Sequence, residues 1–105
     1  MAHTYCVTFR IANKTVAGKT YDERREALIA SARAENLGFW EETTSFMLVE
    51  SDLYTSALAR RLVEGLSKKD DILFIFDPSD KSGNYFGPIE YADVLRSFFP
   101  KAKSL

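Results

Sequence analysis

The chain has 105 residues, 46% hydrophobic and 28% charged, a balance that excludes a disordered or low-complexity chain and leaves room for one core. Its 14 basic and 15 acidic side chains give a formal charge of -1, so no global field draws in nucleic acid or an anionic membrane. The single cysteine, Cys6, excludes an intrachain disulfide and a cysteine-rich zinc site.

A lone free thiol fits a reducing, cytoplasmic setting. The opening Met1-Ala2-His3-Thr4 lacks both a basic region and an apolar run, so no standard export signal is expected. No stretch is apolar enough to span a membrane, and no membrane partner is expected. His3 is the only histidine, which argues against Ser-His or Cys-His catalysis and against multi-histidine metal sites.

Along the chain, Tyr5, Val7, Phe9 and Ile11 alternate with Thr4, Cys6, Thr8 and Arg10, the period-two signature of a strand with one apolar face. Thr20 and Glu23 form a T-x-x-E capping box. Tyr21, Leu28, Ile29 and Ala32 then share one helical face until Gly38, predicting a helix over 21–36. Residues 40–50 are rich in Thr, Phe, Met, Leu and Val and read as extended, either as one long strand or as two. Ser51 or Asp52 is the expected cap of a second helix carrying the stripe Thr55, Leu58, Ala59, Leu62 and Leu66.

The run Ile72-Leu73-Phe74-Ile75-Phe76 is apolar at every position, so a strand covered on both faces is expected there. Residues 77–84 have turn composition, and Tyr85-Phe86 can form a short strand. Pro88 is expected to open a final helix with Tyr91, Val94, Leu95, Phe98 and Phe99 on one side. Residues 100–105 read as a frayed tail. If 40–50 supplies two strands, the layout is a ferredoxin-like β-α-β-β-α-β; if one, a small three-layered parallel arrangement becomes possible.

Several residues could carry chemistry. Asn13-Lys14-Thr15-Val16-Ala17-Gly18-Lys19-Thr20 falls one glycine short of the phosphate-cradling pattern G-x-x-x-x-G-K-[ST], with Asn13 where the first glycine belongs. Turn and cap roles explain Gly18, Lys19 and Thr20 without a ligand, and nucleotide binding is not expected. Asp70, Asp71, Asp77 and Asp80 are close in sequence, but no Ca²⁺-loop spacing is present and turn roles are favoured. Glu41, Glu42 and Glu50 fit the solvent side of a strand.

Phe74 and Phe76 could stack bases of single-stranded RNA, yet the aromatic RNA-binding motif K/R-G-F/Y-G/A-F-V-x-F/Y is missing. A homodimer face made by Cys6, Phe74 and Phe76 is the simpler expectation, with Cys6 a packed side chain rather than a nucleophile.

A Val7-Thr8-Phe9 first strand, Gly38, Ser45-Phe46-Met47-Leu48-Val49-Glu50, Asp52-Leu53 and Asp71-Ile72 follow one another in a telling order. In this order more than by identity, the chain resembles the CRISPR-associated adaptation family, the second of the universal Cas proteins, as a diverged relative outside a CRISPR locus. The resemblance implies a ferredoxin-like homodimer of the kind that bridges the integrase and has also been described as an endoribonuclease. The family's metal-binding aspartate closes strand one in a pattern like V-x-Y-D-[IL], and the matching position here is Arg10, which cannot ligate Mg²⁺.

The expectation is therefore one α+β domain over 1–105, ferredoxin-like with an additional C-terminal helix. Its expected role is that of a homodimeric, non-catalytic interaction or nucleic-acid-associated module with no cofactor, metal or catalytic residue. Thr8, Arg10, Asn13 and Ser45 are the candidate contacts to nucleic acid or a partner; Arg10 would meet a phosphate or pair with Glu50 across the sheet. The alternative is a metal-dependent endoribonuclease of a toxin-like kind, using a rearranged acidic set.

Overall fold

The computed structural model describes residues 2–105. In chain order the elements are β1 (His3–Arg10), α1 (Tyr21–Ala32), β2 (Phe39–Trp40), β3 (Phe46–Ser51), α2 (Thr55–Leu62), β4 (Ile72–Phe76), β5 (Gly83–Phe86), α3 (Ala92–Phe98) and β6 (Lys103–Ser104). The strands form one six-stranded sheet in the order β2-β3-β1-β4-β5-β6. The α+β class expected from the sequence is what the chain adopts.

The alternation in β1 works as anticipated. Tyr5, Val7, Phe9 and Ile11 are buried, while Thr4, Thr8 and Arg10 are exposed and Cys6 is half-buried. β1 is antiparallel to β3 on one side, with Val7 opposite Met47, and to β4 on the other, with Val7 opposite Ile75. The stretch after α1 resolves into two strands, with Phe39 and Trp40 antiparallel to Val49 and Leu48. β1 and β2 therefore run parallel with β3 between them, and α1 connects them. β3 and β4 run parallel with β1 between them, and α2 connects those. Two interleaved split β-α-β units result.

α1 and α2 lie on one sheet face. Leu28 and Ala32 of α1 and Leu58, Ala59 and Leu62 of α2 join Tyr5, Val7, Phe9, Met47, Val49, Leu73 and Ile75 in one core. α1 begins as the capping box predicts: the Glu23 amide donates to Thr20 Oγ1 at 3.1 Å and the Thr20 amide to Glu23 Oε1 at 2.9 Å. It stops at Ala32, four residues short of the expected end, and Asn36 takes a left-handed φ of 56° before the chain turns into β2. α2 starts two or three residues later than expected. Tyr54 occupies its cap position without a side-chain hydrogen bond, while Ser51 Oγ instead accepts from the Leu53 amide at 3.0 Å.

The C-terminal region departs furthest from expectation. The final helix starts at Ala92 rather than at Pro88, and none of its residues is buried. The tail is not frayed: Lys103–Ser104 pairs in parallel with β5, the Leu105 amide donates to the Tyr85 carbonyl at 2.9 Å, and Ala102 is buried. Phe99 folds back over the sheet, 5.2 Å from the Phe74 ring and 4.7 Å from that of Phe76. Part of the second cover that β4 requires is therefore supplied within the chain, by a residue just beyond α3.

Candidate functional site

On the face opposite the helices, the strand register aligns Trp40, Leu48, Cys6, Phe76 and Gly83 in one row across β2, β3, β1, β4 and β5. The next row is Phe46, Thr8, Phe74 and Tyr85. Phe74 and Phe76 stack at 5.4 Å. Cys6, Phe46, Leu48, Phe76 and Tyr85 are half-buried in the single chain, and Trp40 is 40% exposed. The three residues expected to form a common face, Cys6, Phe74 and Phe76, do lie together. Burial, with the nearby Asp77 charge adding to it, raises the Cys6 thiol above its ordinary value and so disfavours the thiolate.

Of the four contact candidates, Thr8 and Ser45 are brought together: the Ser45 carbonyl accepts from the Phe9 amide at 3.1 Å and from Thr8 Oγ1 at 3.4 Å. Arg10 lies on the same face two residues further on, exposed and in register with Ile72. It does not face Glu50, which sits opposite Thr4 at the far end of β1, so the expected cross-sheet pair is replaced by a solvent-facing guanidinium. Asn13 is exposed in the loop beyond the strand and outside this row.

That loop is not a phosphate cradle. Val16 and Lys19 exchange backbone hydrogen bonds at 2.9 Å across Ala17 and Gly18, whose φ values of 51° and 80° make a tight primed-type turn. Its carbonyls converge on Arg24, which donates to those of Lys14 and Lys19 at 2.8 Å and of Ala12 at 2.7 Å. Arg24 is 2% exposed and its Nε lies 3.1 Å from Oδ2 of Asp71, itself fully buried. Asp71 also accepts from the amides of Ala12 at 2.9 Å and Ser67 at 2.8 Å. This hub went unforeseen, although Arg24 stands three residues after Tyr21 and four before Leu28, squarely in the apolar stripe of α1.

The other aspartates hold turns. Asp70 accepts from Lys14 Nζ and Ser67 Oγ, each at 2.8 Å, and both contacts pull its carboxyl below the ordinary range. Asp77 accepts from the amide and hydroxyl of Ser79, and Asp80 from the amide of Ser82, which holds Asp80 low as well. Glu41 pairs with Arg25, and Glu42 accepts from Trp40 Nε1 at 2.8 Å. Among the described residues, no three His, Cys, Asp or Glu side chains converge to hold a metal ion.

A cavity of about 470 Å³ opens elsewhere. It lies where the start of β1, the start of α2, the β4–β5 turn and the C-terminal segment meet, lined by His3, Tyr5, Tyr54, Thr55, Ser82 and Lys101 among others. His3 Nδ1 is 3.6 Å from Asp77 Oδ2, and Thr55 Oγ1 and Ser82 Oγ share a hydrogen bond at 2.6 Å. His3 and Tyr5 belong to the helix-side row of β1, so this cleft opens on the helix side and meets the aromatic row only at Gly83. No helix among the described residues is long and apolar enough to cross a membrane.

Compared with protein-family models, with curated proteins and with solved structures, the chain finds no match in any of the three.

Proposed function

We propose that this chain is a homodimeric, non-catalytic interaction module, associated with nucleic acid in the cytoplasm and related to the CRISPR adaptation scaffold. The scaffold we assign is ferredoxin-like. The strand order β2-β3-β1-β4, antiparallel at every step and connected by α1 and α2, supports that assignment, with β5, α3 and β6 as an extension.

One observation carries the dimer: the in-register row Trp40, Leu48, Cys6 and Phe76, apolar across four strands, which neither helix of the core layer covers and on which Phe99 packs at the Phe76 end. An apolar face of this breadth, poor in charge, has the composition of an interface core. A two-fold axis through it would also duplicate Arg10, Thr8 and Ser45, giving a pair of guanidinium groups for phosphate contact. Nuclease chemistry is left out of the reading because Arg10 stands where an acidic ligand is needed. Asp70, Asp71, Asp77 and Asp80 are each committed to turn or core hydrogen bonds.

The test is sedimentation equilibrium of the purified protein, alone and with short single- and double-stranded RNA and DNA in Mg²⁺, followed by a gel of the recovered nucleic acid. A dimer that binds without cutting is expected, with affinity falling as salt rises. A monomer at micromolar concentration refutes the dimer, and Mg²⁺-dependent cleavage refutes the non-catalytic assignment.

A further inference from the structure

We infer that the cleft at the start of α2 is a binding site for a nucleoside 5′-phosphate, either a free nucleotide or the 5′ end of a strand, independent of the aromatic sheet face and of dimerisation. Its volume of about 470 Å³ falls within the range of small-ligand sites. The lining carries the three kinds of group such a ligand needs. Lys101 and Lys103 supply positive charge from the C-terminal segment. Lys101 Nζ donates to the Asp80 carbonyl at 3.0 Å and its charge also helps to hold the Asp80 carboxyl low, while neither lysine lies within ion-pair distance of a carboxylate among the described residues, so both can still donate to a phosphate.

Thr55 and Ser56 at the start of α2, Ser82 and the buried Asn84 amide complete a polar lining suited to ribose and phosphate oxygens, with Thr55 and Ser82 sharing a hydrogen bond and Asn84 Nδ2 donating to the Lys103 carbonyl at 3.2 Å. Two carboxylates, Asp77 and Asp80, share the lining, so the lysines offset their charge and act on a phosphate as direct hydrogen-bond donors rather than through a net positive field. Asp77 is engaged by Ser79 and faces His3, and Asp80 is engaged by the Ser82 amide. The third group is an aromatic platform: Tyr54 lines the cleft yet is 81% exposed, a flat ring with nothing packed over most of it. An exposed ring beside unpaired lysines matches a base joined to its phosphate better than it matches an inorganic anion.

The test is calorimetric titration of the full chain with adenosine 5′-monophosphate, uridine 5′-monophosphate and inorganic phosphate, with ¹H–¹⁵N shifts to locate the contact. Tyr54, Lys101 and Lys103 are exposed, so Tyr54→Ala and the double variant Lys101→Ala/Lys103→Ala should fold normally. We expect both nucleotides to bind more tightly than phosphate, and the double lysine variant to lose about tenfold for all three ligands. Tyr54→Ala should lose about tenfold for the nucleotides alone, the usual scale of base stacking. A short oligonucleotide with and without a 5′-phosphate separates the sources: tighter binding of the phosphorylated strand than of the mononucleotide assigns the site to strand ends, and the reverse to free nucleotides. Absence of saturable nucleotide binding, phosphate binding as tight as nucleotide binding, or shifts confined to another surface would each overturn the assignment.

Discussion

At the scale of single residues, the most consequential pair is Arg24 and Asp71, an ion pair sealed in the interior at the point where the 12–19 loop, α1 and the turn before β4 meet. Taking both charges out of water is costly, and what offsets it is saturation: the guanidinium reaches three loop carbonyls as well as the carboxylate. Breaking such a pair from one side is worse than removing it. Asp71→Leu leaves a buried cation and two amides, those of Ala12 and Ser67, without their acceptor. We expect a loss of about 3–5 kcal/mol in urea unfolding, with Arg24→Met/Asp71→Leu costing clearly less than the sum of the single changes. Additive costs would show that the two side chains are not coupled. The pair was legible only in part. An arginine in an apolar stripe is a signal that it is buried, but nothing in the local pattern names a partner 47 residues away.

Elements are governed by their ends, and here glycine and carboxylates divide the work. Gly18 and Gly87 both take positive φ, 80° and 94°, yet their surroundings differ. A Cβ at Gly18 meets nothing within 4 Å, whereas at Gly87, just after β5, it would lie 1.8 Å from the Asp71 carbonyl oxygen. Gly18→Ala should therefore cost about 1–2 kcal/mol, the price of a left-handed alanine. Gly87→Ala should exceed about 3 kcal/mol, because backbone must move beside the Arg24–Asp71 hub. Equal urea midpoints for the two variants would contradict this. Acid should act on three ends together. The Thr20 amide and hydroxyl hold Glu23 below its ordinary value, Lys14 and Ser67 hold Asp70 low, and Ser82 holds Asp80 low. A carboxyl depressed in the folded state adds stability above its unfolded value, and that stability is lost as pH falls through the folded value. The urea midpoint should thus decline from about pH 4 downward, with Asp70→Asn showing a shallower decline.

The elements built on strict alternation or on a capping box were readable because a few neighbouring residues determine them: β1 and the start of α1 are such cases. The start of α2 and the end of α1 were misplaced by a few residues because Ser51 and Asn36 satisfy more than one backbone geometry, and tertiary contacts choose. The C-terminal segment was misread for a different reason. Lys103–Ser104 has no pattern of its own and becomes a strand only because β5 offers it an edge.

At the scale of the whole molecule, the double-sided apolarity of β4 had one visible cause and two possible sources of cover. The sequence pattern required a lid over Phe74 and Phe76 without indicating whether it would come from this chain or from a second copy. Phe99 supplies it for β4, and the unfilled remainder is the neighbouring half of the same face, where Leu48 lies between Trp40 and Cys6. This shifts the choice of probe. Phe74 is 8% exposed and packed within the chain, so Phe74→Asp would bury a charge and confound unfolding with dissociation. Leu48 is half-buried in the single chain, so a longer carboxylate side chain there can reach solvent from the open face. Leu48→Glu should leave the far-UV circular dichroism and urea midpoint nearly unchanged and convert the proposed dimer to monomer, since two carboxylates would meet across its two-fold axis in a desolvated interface. A dimer that survives Leu48→Glu with unaltered affinity would place the interface elsewhere, and the apolar row would then need another occupant to account for its exposure.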